Sequence, residues 1–176
     1  GRHAVYNSLA AIAVGLEFEV SFRTIAAALK SFRGVDRRMQ LRGSAYGASV
    51  IDDYGHHPTE IKATLQALRD AWPDRRKVVV FQPHRYTRTR DLFDDFSRVL
   101  SEADVLVLSD VYPAGEAPIE GIDSHALCQS IRARGRINPV LISDVFDIPR
   151  ERPAMLEDGD LVLLLGAGNI GAVAQS

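Results

Sequence analysis

The stretch Ile51-Asp52-Asp53-Tyr54-Gly55-His56-His57-Pro58-Thr59-Glu60 reads as the end of a strand, a polar loop and the first turn of a helix. Ala48, Val50 and Ile51 form the apolar lead-in. Pro58 suits a first helical turn, where its missing N–H is not needed. Thr59 and Glu60 place polar side chains where the free N–H groups of that turn point. Ile61, Leu65 and Leu68 then recur on one face, which predicts a helix over Pro58–Ala71. In open α/β sheets, ligands bind at the carboxyl ends of strands beside helix N-termini. The loop crowds titratable side chains at such a place, and histidine titrates near neutral pH. A polar turn with a helix cap accounts for the same residues, since Asp and Gly belong in turns.

Outward from this stretch, short β-branched runs alternate with helical patterns. The first strand is predicted over Ala48–Asp52 and the second over Lys77–Gln82. Val78, Val79, Val80 and Phe81 make the continuous apolar run of a strand covered on both faces. One helix over Thr89–Glu102 follows, with Leu92, Phe93, Phe96, Val99 and Leu100 inward. A third strand is predicted over Asp104–Leu108, a helix over Ser124–Arg134 and a strand over Pro139–Ile142. Residues 144–158 form a short, poorly patterned helical segment, and a last strand spans Asp160–Leu165. This alternation argues for βαβ units and a mostly parallel sheet with flanking helices, an α/β fold of Rossmann-like type.

Upstream, residues 4–16 are rich in Ala, Leu and Val at helical spacing. Ser21 is a predicted N-cap for a helix over Phe22–Ser31, with Gly34 past its end. Residues 1–34 are thus a helical hairpin without a strand, too small to be a domain. Val35–Arg42 is a basic linker into the unit 35–176, and its arginines suit either a solvated face or phosphate binding.

The bulk properties narrow the function. Of 176 residues, 46% are hydrophobic, enough for a proper core, and 21 Lys and Arg against 23 Asp and Glu leave a net charge of −2. That balance gives no support for a nucleic-acid or membrane-surface role. No apolar run approaches the ~18 residues of a membrane span, and the first residues lack a signal-peptide pattern. Cys128 is the single cysteine, which excludes an internal disulfide and a cysteine-rich zinc site. Its helical context suits a small buried hydrophobe, and the expected compartment is the cytoplasm.

A second cluster, Phe81-Gln82-Pro83-His84-Arg85-Tyr86-Thr87-Arg88-Thr89-Arg90, closes the second strand. Its arginines and histidine make an anion site by residue type. The helix dipole does not explain them, because it favours acids at an N-terminus. Pairing of Arg90 with Asp91, Asp94 or Asp95 is the structural alternative. Were the first two strands neighbours, His56 and His57 would share a rim with His84, Arg85 and Arg88. The long loop Asp110–Pro118 is turn-rich, and loops of that length are more often functional than idle. Gly166-Ala167-Gly168-Asn169-Ile170-Gly171 resembles a dinucleotide fingerprint, but with no βαβ unit after it a tight strand-to-helix turn is the better reading. No GxxxxGK(S/T) phosphate loop occurs in the 176 residues, and no metal-ligand spacing stands out.

Taken in order, several stretches resemble the Mur ligase family: Gly1-x-His3-x-x-x-Asn7, Gly34-Val35-Asp36-Arg37-Arg38, Asp52 to Glu60, Phe81 to Thr89, and Leu165 to Ile170. The resemblance spans essentially the whole chain. It implies a C-terminal Rossmann-like domain (35–176) preceded by a helical remnant of the central ATPase domain (1–34). It also implies an ATP-dependent amide ligase of peptidoglycan synthesis, joining L-alanine to UDP-N-acetylmuramate through an acyl phosphate. ATP and Mg2+ would be held mainly by N-terminal and central domains outside these residues, so the chain alone would be inactive. By the same resemblance, Asn7 contacts adenine, Arg38 the nucleotide phosphates and Asp53 the nucleotide. Arg85 and Arg88 hold the amino-acid carboxylate, and His56 and His84 line the substrate pocket. No catalytic residue is assigned. Ala4 departs from the family pattern, in which a second Asn often follows the His. Competing readings are the muropeptide-recycling relative, a free-standing module for an anionic metabolite, and a nicotinamide enzyme.

Overall fold

In a computed structural model, residues 2–32, 34–151 and 155–173 are described. Gly1, the side chains of Arg2 and His3, Arg33 and residues 152–154 and 174–176, which include parts of the predicted motifs, lie outside the described residues. The chain divides into two compact units, Gly1–Val35 and Asp36–Ser176.

The first unit is a pair of helices, α1 (Arg2–Glu17) and α2 (Phe22–Ser31). Ser21 caps α2, its hydroxyl accepting the Thr24 N–H at 3.2 Å. Gly15 lets Ile25 pack close, because a Cβ there would stand 2.7 Å from Ile25 Cδ1. Ile25 is buried, whereas Val5, Tyr6, Leu9, Val14, Leu16, Phe18 and Phe22 remain exposed.

The second unit is built on a six-stranded sheet of order β1-β2-β6-β3-β4-β5. Its strands are β1 (Gln40–Ala45), β2 (Ala48–Asp53), β3 (Lys77–Phe81), β4 (Val105–Leu108), β5 (Val140–Leu141) and β6 (Leu161–Leu165). β1 runs antiparallel to β2, and the remaining pairs are parallel. Alternation along β6 divides the core in two. Leu161, Leu163 and Leu165 join Ile51, Val79 and Phe81 beneath α3 (Pro58–Ala71), α5 (Phe93–Leu100) and α6 (Ser124–Ala133). Val162 and Leu164 face the other way, with Val78, Val80, Val107, Val145, Ile148 and Ile170. Burial of each such side chain contributes roughly 1.5–3 kcal/mol. Cys128 packs within the first cluster at 1% exposure, and burial pushes its thiol pKa up.

Three expectations are corrected. The basic linker Val35–Arg42 runs into a strand: Gln40–Ala45 pairs with β2 through a two-residue turn at Tyr46 and Gly47, both with positive φ. That turn geometry matches the twist of a hairpin. The pattern was hidden because β1 is an exposed edge of polar and small residues. The single helix over Thr89–Glu102 is two helices, α4 (Tyr86–Asp91) and α5, broken at Leu92 with φ −119°. The first two parallel strands are not neighbours, because β6 inserts between β2 and β3. Residues 144–158 hold a 3-10 turn (Val145–Asp147) and α7 (Ile148–Glu151), and the last described helix is α8 (Ile170–Val173).

Candidate functional site

The parallel register sets the carboxyl ends of five strands level, with Asp53, Leu165, Phe81, Leu108 and Leu141 partnered in one row. The loops after β2, β6 and β3 therefore leave the sheet side by side. This row, rather than direct pairing of β2 with β3, brings the two sequence clusters together. The His56 and His84 rings lie 6.0 Å apart, with Tyr54 edge-on to His56 at 5.4 Å. Tyr112, from the loop after β4, stacks on the other side of His84 at 5.4 Å.

The β2 loop is held by its own helix. Glu60 Oε2 accepts the N–H groups of His56 at 3.0 Å and His57 at 3.2 Å. His57 Nδ1 accepts the Thr59 N–H at 3.3 Å, which completes a reciprocal cap. His57 is thus part of the helix cap, while His56 turns toward the rim, 3.7 Å from Glu60. Burial raises the Glu60 pKa, but the His56 and His57 hydrogen bonds and the charges of His56 and Arg38 outweigh it and hold the carboxyl low.

Asp52 and Asp53 divide their work. Asp52 is fully buried and pairs with Arg37 at 3.4 Å and Arg42 at 2.9 Å. A register shift between Leu41 and Gly43 sets Arg42 out of the ladder, the kind of bulge that re-aims a side chain. Asp53 Oδ2 accepts the Met39 N–H at 2.9 Å, and Oδ1 accepts the Gly55 N–H at 2.8 Å. Its carboxylate, 3% exposed, therefore ties the loop carrying Arg38 to the end of β2. Arg37 and Met39, on either side of Arg38, have left-handed backbones. The guanidinium carbons of Arg37 and Arg38 sit 5.1 and 5.8 Å from the Tyr54 ring centre. Arg38 is half exposed, with a loose 3.7 Å pairing to Glu60.

At the end of β3, Arg88 Nη1 approaches His84 Nδ1 at 3.3 Å and donates to His84 O at 3.0 Å. Guanidinium has no acceptor, so Nδ1 is the bare nitrogen and the ring proton sits on Nε2. Burial first, then the charges of Arg88, His56 and Arg85, lower the His84 pKa. Arg85 precedes α4 at φ 75° and is half exposed, 3.8 Å from Glu116. Arg90 takes the structural alternative, pairing with Asp91 at 2.8 Å. Asn7 is exposed on α1 in the first unit.

The Gly-rich turn is filled by the protein itself. Cβ atoms at Gly166, Gly168 and Gly171 would meet Gln82 O at 2.9 Å, Gln82 Oε1 at 2.3 Å and the Arg37 guanidinium at 2.6 Å. Gln82 also donates to Asn169 Oδ1 at 2.7 Å and accepts from Ile170 N–H at 3.1 Å. The tight-turn reading describes this geometry. Sequence reasoning flagged the loop of Tyr112 and Glu116 by its length but singled out neither residue. Among the described residues no group of three or more His, Cys, Asp or Glu could hold a metal ion, and no helix is long and apolar enough to cross a membrane.

A mostly parallel, helix-flanked sheet with basic and aromatic side chains along its carboxyl rim defines a Rossmann-like α/β domain. Residues 37–168 match the family described as "Mur ligase, glutamate ligase domain", and the chain belongs to it. It is 56% identical to UDP-N-acetylmuramate–L-alanine ligase of Xanthomonas campestris pv. campestris over 99% of its length, spanning 38% of that relative. Among solved structures, UDP-N-acetylmuramate–alanine ligase of Thermotoga maritima matches with TM-score 0.80 at 27% identity, covering 99% of this chain and 36% of that one. A murein peptide ligase of Psychrobacter arcticus matches with TM-score 0.70 at 28% identity, again over 99% of this chain and 36% of the other.

Proposed function

We propose that this chain is the C-terminal part of a cytoplasmic, ATP-dependent ligase that joins L-alanine to UDP-N-acetylmuramate in peptidoglycan synthesis. Identity to ligases of that name supports it. The observation that carries the site is the pair Arg85 and Arg88 at the rim, bordered by His84 and His56. Guanidinium groups suit the carboxylate of an amino acid. Neutral His84 orients Arg88 by accepting its N–H, and His56 and His84 would line the substrate site. The helical pair 1–34 is the tail of a central ATPase domain, which fits its exposed apolar side chains. Asn7 would meet adenine there.

ATP, when bound, supplies the phosphoryl group that activates the muramoyl carboxylate as an acyl phosphate for attack by the alanine amine. Arg38, half exposed and loosely paired, fits a phosphate contact. Asp53 serves the nucleotide through the loop it fixes rather than by facing it. Mg2+ and most of the nucleotide belong to domains beyond these residues, so the chain alone is inactive.

Phosphate release by the full-length enzyme tests the reading. It should require both UDP-N-acetylmuramate and L-alanine, and the 176-residue chain alone should release none. Release with a free peptide in place of alanine would assign the recycling reaction instead. Tight calorimetric binding of alanine or nucleotide by this chain alone would point to a free-standing module. Arg85→Ala should raise the alanine KM by about 10- to 100-fold, the loss of one charged hydrogen-bonding contact. An unchanged KM would remove Arg85 from the carboxylate site.

A further inference from the structure

Glu116 belongs to neither basic nor histidine cluster, yet it grips the turn that presents both arginines. Its Oε2 accepts the Thr87 N–H at 3.0 Å, and its Oε1 accepts the Thr87 hydroxyl at 2.7 Å. The same loop holds that turn by the backbone: Tyr112 N–H donates to Pro83 O and Tyr112 O accepts Arg85 N–H, both at 2.8 Å. Between these clamps Arg85 sits at φ 75°. A left-handed backbone at a residue with a long side chain persists only where its surroundings over-determine it. Arg85 occupies the N-cap position of α4 without making a side-chain cap. Glu116 supplies the missing cap from another loop, satisfying a free N–H of the first turn.

We propose that Glu116 is a positioning residue for the amino-acid carboxylate: by capping α4 at Thr87 it fixes the direction in which Arg85 and Arg88 leave the rim. This rests on the reading given under Proposed function. The direct pairing with Arg85 is a lesser part, because at 3.8 Å and half exposed such a pair is worth little. The hydrogen bonds that Thr87 donates from its N–H and hydroxyl hold the Glu116 carboxyl below the usual range, so it stays ionised at neutral pH.

Steady-state kinetics of the full-length enzyme test it. Glu116→Ala should raise the alanine KM by about tenfold, one charged contact's worth. Its kcat and its KM values for ATP and UDP-N-acetylmuramate should stay near wild type. Glu116→Gln keeps an acceptor for Thr87 and should recover most of the loss. Thr87→Val breaks the same clip from the other side and should raise the alanine KM in the same direction. In an Arg85→Ala background, Glu116→Ala should cost less than in wild type, because the part of its effect that runs through Arg85 is already lost. An alanine KM unmoved in Glu116→Ala, or an equal penalty in both backgrounds, overturns the role of Glu116 alone. A wild-type enzyme that turns over without alanine overturns the ligase reading and this role with it.

Discussion

His84 shows how one side chain joins binding geometry to pH. Its ring is stacked on Tyr112, faces His56 and accepts from Arg88 through Nδ1. Protonation would put a donor where Arg88 already donates, beside a fixed positive charge. Burial and Arg88 therefore hold its pKa below the ordinary value. A base whose folded pKa is lowered binds its proton more readily when unfolded, so stability rises with pH. Its contribution is complete above about pH 6.5, the unfolded value, and is lost as pH falls through the lower folded value. Denaturant midpoints between pH 7 and pH 5 should fall more steeply for the wild-type chain than for His84→Asn. Parallel slopes would show that His84 carries none of the acid sensitivity.

At the scale of the element, α3 depends on Glu60 for its start. That side chain takes the N–H groups of both His56 and His57, and its loss leaves two donors at a half-buried helix end. Glu60→Ala should cost about 1 kcal/mol, the usual worth of a cap, which lowers the thermal midpoint by about 2–4 °C in a domain of this size. Circular dichroism melts check this. Because the folded Glu60 pKa is lowered, the stabilisation is present above the unfolded value, about pH 4.3. It disappears as pH falls through the folded one, so variant and wild type should converge in acid. Elements were legible unevenly. The apolar runs of β3, β4 and β6 and the Ile61–Leu65–Leu68 face declared themselves by period. β1 did not, because an exposed edge strand needs no apolar alternation and only Gly47 marks its turn. The break at Leu92 was hidden as well, since its residues keep a helical pattern through it.

For the whole molecule, the second unit contains its own sheet and both of its core clusters. Removing residues 1–35 should leave the thermal midpoint of the remaining domain unchanged by calorimetry. A large fall would show that the helical pair supports the sheet. The two units were visible in the sequence as a strandless hairpin followed by strand–helix alternation. The candidate site showed in the sequence as two polar clusters at strand ends, one explicable alone as a capped turn and the other as arginine–aspartate pairing.

Local pattern fixes what local interactions fix. Periodicity gave the α/β class, the helix start at Pro58 and the burial of Cys128, because strand and helix repeats leave direct marks on residue order. The resemblance of whole stretches gave the family. Three-dimensional packing alone decided that β6 lies between β2 and β3, that Asp53 turns inward to Met39 and Gly55, and that Glu116 caps a helix from 29 residues away. Apart from the local Asp53–Gly55 bond, those contacts join segments well separated in the chain, where no repeat connects one residue to its partner. The stretch Ile51–Glu60 names the chemistry of the rim, and the order of the strands sets what stands opposite it.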